Sequence, residues 1–253
     1  MVRPTTRKAS SYNYYSVPPI SETYLIKVPK RANLTADLEN HQRHEAFASV
    51  AFRPNTYTRV IKPICDRIMA LIALVLLAIP MLVISAVVYL SMGRPLLFRQ
   101  RRVGLNGKVF HVLKFRTMKQ DRRDTILNVN EDLRRTHKTD RDPRHTPTGQ
   151  FLRRYSLDEL PQLFNILRGE MSLVGPRPEL ESVVAMHYPP GLEQRHLVRP
   201  GLTGLWQISA RGQGQMHENG KWDLNYVETI SPITDLQILF KTPFVMFGRN
   251  AGK

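Results

Sequence analysis

Cross-linking sulfur is missing from this sequence: 253 residues hold one cysteine, Cys65. An intramolecular disulfide is excluded, and nothing points to an oxidising compartment. Cys65 borders an apolar run and is expected to be a buried small side chain. Acidic residues are scarce as well, 21 against 37 Lys and Arg, for a formal net charge of +16. That imbalance selects anionic partners: nucleic acid, an acidic lipid surface or phosphorylated substrates. Aromatic residues make up only 8%, and no basic stripe carries interleaved stacking residues, so nucleic acid is not an expected partner. His111, His137 and His145 show no metal-ligand spacing with cysteine or one another, which argues against zinc. Internal repeats and low-complexity tracts are lacking. No apolar segment opens the chain, so no signal peptide is expected. Residues 1–56 lack sustained periodicity and read as a polar, partly disordered arm, with a short helix over residues 35–50.

Long apolar runs are also rare, but there is one. Ile68–Leu90 extends over 23 residues without a charge, long enough to cross a hydrocarbon core of roughly 30 Å as a helix. Soluble helices of that length carry a polar stripe, which this one lacks. Pro80 sits near its middle, where proline removes a donor and clashes with the preceding turn. Basic residues stand on both sides: Arg59, Lys62 and Arg67 before the run, Arg94, Arg99, Arg101, Arg102 and Lys108 after it. A spanning helix carries that bias on one side. The pattern predicts a re-entrant hairpin broken at Pro80, with the flanking cations holding anionic lipid headgroups.

Beyond the run the pattern becomes globular. Residues 96–118 read as two short strands joined at Leu105-Asn106-Gly107-Lys108, a strong hairpin signal. Lys114 and Arg116 fall on one face at the end of the second strand, placed to contact phosphate. Residues 120–149 are polar and densely charged, a connection with a short helix around residues 130–137.

The segment FLRRYSLDELPQLFNILRGEMSLVGPRPE, residues 151–179, is the most informative. Ser156 or Asp158 can cap a helix that runs to Leu167 and stops at Gly169, and Ser156 with Glu159 fits a capping box. Capping does not explain two adjacent carboxylates with Arg153 and Arg154 upstream and Arg168 and Arg177 downstream. A helix N-terminus attracts anions, and a carboxylate there stays ionised, fit to be a nucleophile or a metal ligand. Adjacent acids cannot flank a glycosidic bond from opposite sides, which argues against a glycosidase. One acid attacking phosphorus while its neighbour holds a divalent cation suits the adjacency. The prolines of GPRPE present Arg177 with little freedom to lose on binding phosphate. A second Arg-Pro-Gly turn, VRPGLTGLWQISAR, follows at residues 198–211, with Trp206 expected in the core.

These motifs, in this order and preceded by KPICDR, resemble the bacterial sugar transferase family, the monotopic polyprenyl-phosphate phosphoglycosyl transferases of exopolysaccharide, capsule and O-antigen pathways. The resemblance covers residues 57–248. It implies that Asp158 is the nucleophile, that Glu159 helps bind Mg²⁺ and that Arg153 is the family's arginine ahead of the nucleophile. It implies a UDP-sugar donor, a polyprenyl phosphate acceptor, UMP release and an active site at the cytoplasmic face of the inner membrane. Self-association into a homo-oligomer is compatible with the sequence. Tyr155 stands where the family often has Thr or Ser, and residues 213–231 follow the family's aromatic and acidic spacing loosely. The expected fold is α+β: a re-entrant helix-break-helix over residues 57–95, then a small, mostly helical catalytic domain over residues 96–253 with a β-hairpin and interfacial amphipathic helices.

Overall fold

The structure, a computed structural model, describes residues 49–119, 146–209 and 219–247. The helices expected over residues 35–50 and 130–137 lie wholly or almost wholly outside these. A π-helical turn, Tyr57–Ile61, leads into α1 (Lys62–Leu76), and α2 (Ala78–Met92) follows after a break at Leu77. Each helix has 15 residues, about 22 Å at the α-helical rise, and their axes bend by 64°. No single described helix is long and apolar enough to cross a membrane.

The position of the break follows from Pro80. Its ring clashes with the carbonyl four residues back, which belongs to Leu76, the last residue of α1. Pro80 itself is the third residue of α2, where a missing N–H is harmless because that donor has no intrahelical partner. The helix therefore breaks ahead of the proline, between Ala73 and Met81, whose bonds with Leu77 flank the bend.

α1 is not apolar all round. Lys62, Asp66 and Ala70 recur every fourth residue and are buried on one face. Pro63 is buried too, and Ala73 and Leu74 pack against the core, whereas Ile64, Ile68, Leu71, Ile72 and Val75 are exposed. On that outer face lies Cys65, exposed rather than buried, because it stands one residue off the packed stripe. Lys62 is not a headgroup contact either. Its Nζ donates to Asp235 Oδ2 at 2.6 Å and lies 3.6 Å from Asp66.

Strands β1 (Leu97–Val103) and β2 (Val109–Phe115) form the expected antiparallel hairpin, pairing Leu97 with Phe115 and Val103 with Val109. Asn106 (φ 53°) and Gly107 (φ 74°) take the left-handed backbone of the turn, which these residue types tolerate. After α3 (Pro147–Arg154), a 3₁₀ turn (Leu157–Glu159) precedes α4 (Gln162–Leu167). Then come β3 (Ser172–Val174), β4 (Glu179–Leu180), α5 (Glu181–His187), a 3₁₀ turn (Leu192–Leu197), β5 (Gly201–Thr203), α6 (Leu205–Ser209), α7 (Lys221–Thr229) and α8 (Pro232–Phe247). β4 pairs with the free edge of β1, and β3 runs parallel to β5.

The mixed helix-and-sheet class holds. The main core joins Ala70 of α1 to Val112 of β2, Ile166 of α4, Val174 of β3, Val227 of α7 and Ile238 of α8. Full burial of the valine and isoleucine side chains contributes about 1.5–3 kcal/mol each. Trp206, expected in the core, is only half-buried.

Candidate active site

Among the described residues the outer edge of β2 has no neighbouring strand. Asn165, fully buried in α4, takes that place: its Oδ1 accepts from Leu113 N at 3.0 Å and its Nδ2 donates to the His111 carbonyl at 2.8 Å. Nδ2 is also 2.7 Å from Glu170 Oε2. One amide thus locks the element that follows the Asp158–Glu159 pair onto the strand that carries Lys114.

The pair does not sit at the start of an α-helix. Ser156 adopts left-handed backbone (φ 54°, ψ 22°), closing α3 through its N–H to the Arg153 carbonyl. An N-cap residue needs extended backbone, so the expected capping box does not form and Ser156 makes no cap bond here. Pro161 then separates the 3₁₀ turn from α4, which has six residues and ends at Gly169 (φ 76°) as expected. Asp158 and Glu159 therefore owe little to a helix dipole. Their electrostatics come from side chains.

Glu159 is clamped. Its Oε1 accepts from Lys114 Nζ at 2.7 Å and from Arg177 Nη2 at 2.8 Å. Burial works against its ionisation, but Arg177 and Lys114 override burial and hold its pKa well below the usual carboxylate range. Asp158, 7% exposed, is different. Burial pushes its pKa up to about 6, opposed by Lys114 and Arg177 and helped by the Glu159 charge. Among the described residues it takes part in no ion pair within 4.0 Å.

The expected cations divide. Lys114 and Arg177 converge on Glu159. Arg153 occupies the last turn of α3, where a positive charge suits the helix end. Arg116 does not join the site. It is 7% exposed, and its guanidinium donates to the Met92, Gly93 and Arg94 carbonyls. Met92 ends α2 and Gly93 and Arg94 follow it, where carbonyls lack intrahelical donors, so they hold the arginine that strand alternation alone would place beside Lys114.

The loop that carries Arg177 rests on a close backbone approach. A Cβ on Gly201 would lie 2.1 Å from the Gly175 nitrogen, and one on Gly204 2.1 Å from the Gly175 oxygen. GPRPE and RPGLTG thus form one wall, which explains the glycines of the second motif. Two arrangements gave no signal in the sequence: the Asn165 bridge, and the buried pair of Arg195 and Asp223 described below. Each depends on contacts between residues distant in the chain.

Residues 57–249 match the pattern described as bacterial sugar transferase. The chain belongs to the bacterial sugar transferase family. The transferase is 40% identical over 220 residues to the exopolysaccharide production protein ExoY of Sinorhizobium fredii, covering 81% of this chain and 96% of that one. It is 42% identical over 195 residues to ExoY of Rhizobium meliloti, covering 74% and 85%. It is 38% identical over 200 residues to the UDP-glucose:undecaprenyl-phosphate glucose-1-phosphate transferase of Escherichia coli, covering 76% of this chain and 41% of that longer protein. The class read from the motifs, a phosphoglycosyl transferase, holds.

Proposed function

We propose that this transferase moves a hexose-1-phosphate from a UDP-sugar to polyprenyl (undecaprenyl) phosphate, releases UMP, and so initiates synthesis of a bacterial polysaccharide or glycoconjugate. The observation that carries the mechanism is the unequal treatment of two adjacent acids. Glu159 is pinned by two cations, whereas Asp158 keeps its carboxylate for chemistry.

Asp158 attacks the β-phosphorus of the donor. The bond from that phosphorus to the bridging oxygen breaks, and UMP leaves with the electron pair. The sugar phosphate remains on the carboxylate. A phosphate oxygen of the lipid acceptor then attacks the same phosphorus and expels the Asp158 carboxylate. Dividing the transfer lets a soluble donor and a lipid acceptor use one small site in turn. Lys114 and Arg177 hold Glu159, and Arg177 with Arg153 offers positive charge to the diphosphate.

The donor set suits Mg²⁺. Two carboxylates are hard oxygen ligands of the kind that cation uses alongside water and substrate phosphate. Both clamp bonds land on Glu159 Oε1, so Oε2 and the Asp158 carboxylate are the groups to hold it. Bound there, Mg²⁺ supplies neutralisation of phosphate charge.

Residues 57–95 act as a re-entrant membrane hairpin at the cytoplasmic face of the inner membrane, among anionic headgroups, with residues 96–253 forming the catalytic domain. Support comes from the 64° bend and from the exposed apolar surface of α1 and α2. α8 adds Ile233, Leu236, Phe240 and Phe244, an exposed apolar row suited to lie in the interface.

Donor labelled in the sugar phosphate, supplied without acceptor, tests the mechanism. We expect protein-bound label that Asp158→Asn abolishes, and a weakened Mg²⁺ response in Glu159→Gln. Labelling and turnover by Asp158→Asn would instead favour direct attack by the lipid phosphate, with Asp158 as a metal ligand alone.

A further inference from the structure

Arg177 reaches Glu159 from a loop, and a loop arginine delivers its charge only if its backbone is fixed. The fixing group is another arginine. Nη2 of Arg195, in the 3₁₀ turn Leu192–Leu197, donates to the Arg177 carbonyl at 2.6 Å. The same nitrogen lies 2.6 Å from Oδ2 of Asp223 on α7, and both side chains are 1% exposed. Nη1 donates to the Tyr188 hydroxyl. The Tyr188 ring lies 5.9 Å from this guanidinium and stacks on His196, with centroids 5.8 Å apart and planes 4° apart. Glu179 of β4 adds negative charge nearby.

A buried ion pair is poor evidence for stability, since its desolvation cost rivals its attraction, and apolar residues of like volume often serve as well. Apolar residues cannot donate to a carbonyl. A lysine in the same place can pair with Asp223, but a point charge cannot reproduce the planar fork that donates to both Tyr188 and the Arg177 backbone while its charge faces Asp223. What the arrangement provides beyond packing is the placement of Arg177.

We propose that Arg195, oriented by Asp223 and Tyr188, is a positioning residue for Arg177 and thereby for the Glu159 clamp. The proposal rests on the reading above in which Arg177 serves phosphate transfer. Arg195 meets the site through the Arg177 carbonyl. It acts through the Arg177 backbone, so its effect should exist only while Arg177 carries its guanidinium.

The test is a double-mutant cycle on the full chain in membranes. UMP release is followed with UDP-glucose and with UDP-galactose, and thermal unfolding is recorded for every variant. Arg195→Lys should lower kcat by about 10- to 100-fold, the scale of a misplaced catalytic group, with a smaller change in KM. In an Arg177→Ala background the same substitution should change kcat less than about threefold, because coupled residues do not add. A folded Arg195→Lys with wild-type kcat would overturn the proposal. So would an undiminished effect in the Arg177→Ala background, the mark of a purely structural role. If Arg195→Lys does not fold, Tyr188→Phe is read in the same cycle by the same criteria. Wild-type turnover in Arg177→Ala would remove the underlying reading as well. A crippled Arg177→Ala with additive Arg195 effects would remove this proposal alone.

Discussion

At the residue scale, two neighbouring carboxyl groups have opposite proton affinities. The cause is which of them the cations touch. Glu159 takes both contacts, and Asp158 takes burial. Trapping of sugar phosphate on Asp158 should therefore rise with pH through a midpoint near 6, as its carboxylate ionises. The stability consequence has the opposite direction. A carboxyl whose folded pKa lies above its unfolded value near 3.9 binds more protons when folded, so it stabilises least above pH 6. Asp158→Asn should then raise the thermal midpoint at neutral pH, and the gain should vanish below about pH 4. Arg116 gives a second contrast. A phosphate contact there would raise the donor KM in Arg116→Lys. Its grip on the Met92, Gly93 and Arg94 carbonyls, at and just past the end of α2, implies a lowered unfolding midpoint with donor KM unchanged.

At the scale of elements, Asn165 behaves as the missing strand beside β2. Its amide meets the N–H and C=O groups of two residues on one strand edge, the pattern a neighbouring strand would offer. Asn165→Ala should orphan these buried groups at a cost of about 1–3 kcal/mol each. Thermal or urea unfolding measures that loss, and a variant within error of wild type would show that the edge rearranges to satisfy itself. The Asp235 carboxylate plays a comparable part for α1. It accepts from Lys62 at 2.6 Å, from Tyr57 at 2.6 Å and from Tyr226 at 2.7 Å, joining α1, α7 and α8 at one point.

For the whole molecule, the question is how an apolar helix pair meets the membrane. If the pair re-enters, Asn55→Cys and Asn106→Cys should label from the same side. Because Cys65 is exposed, both belong in a Cys65→Ser background. Labelling from opposite sides would establish a span. Pro80→Ala restores the N–H that can bond to the Leu76 carbonyl, so it should straighten the break and generate a population labelled from both sides.

The sequence alone specifies the elements whose causes are local. Asn106-Gly107 sets the hairpin turn, Gly169 stops α4, and Pro80 breaks the apolar helix at its fourth preceding residue. It also marked Asp158, Glu159, Lys114 and Arg177, because unusual residue types in fixed order carry the family pattern. Where the charges go depends on long-range contacts. Strand alternation placed Lys114 and Arg116 together, yet one faces Glu159 and the other closes the end of α2. Local spacing offered Ser156 as a cap, yet left-handed backbone at the close of α3 withdrew it. Its flanking position makes Lys62 a candidate headgroup contact, yet Asp235, 173 residues away, takes its ammonium. Short-range geometry is written in neighbouring residues, whereas the partner of a buried charge is set by whichever distant side chain the core brings within about 3 Å.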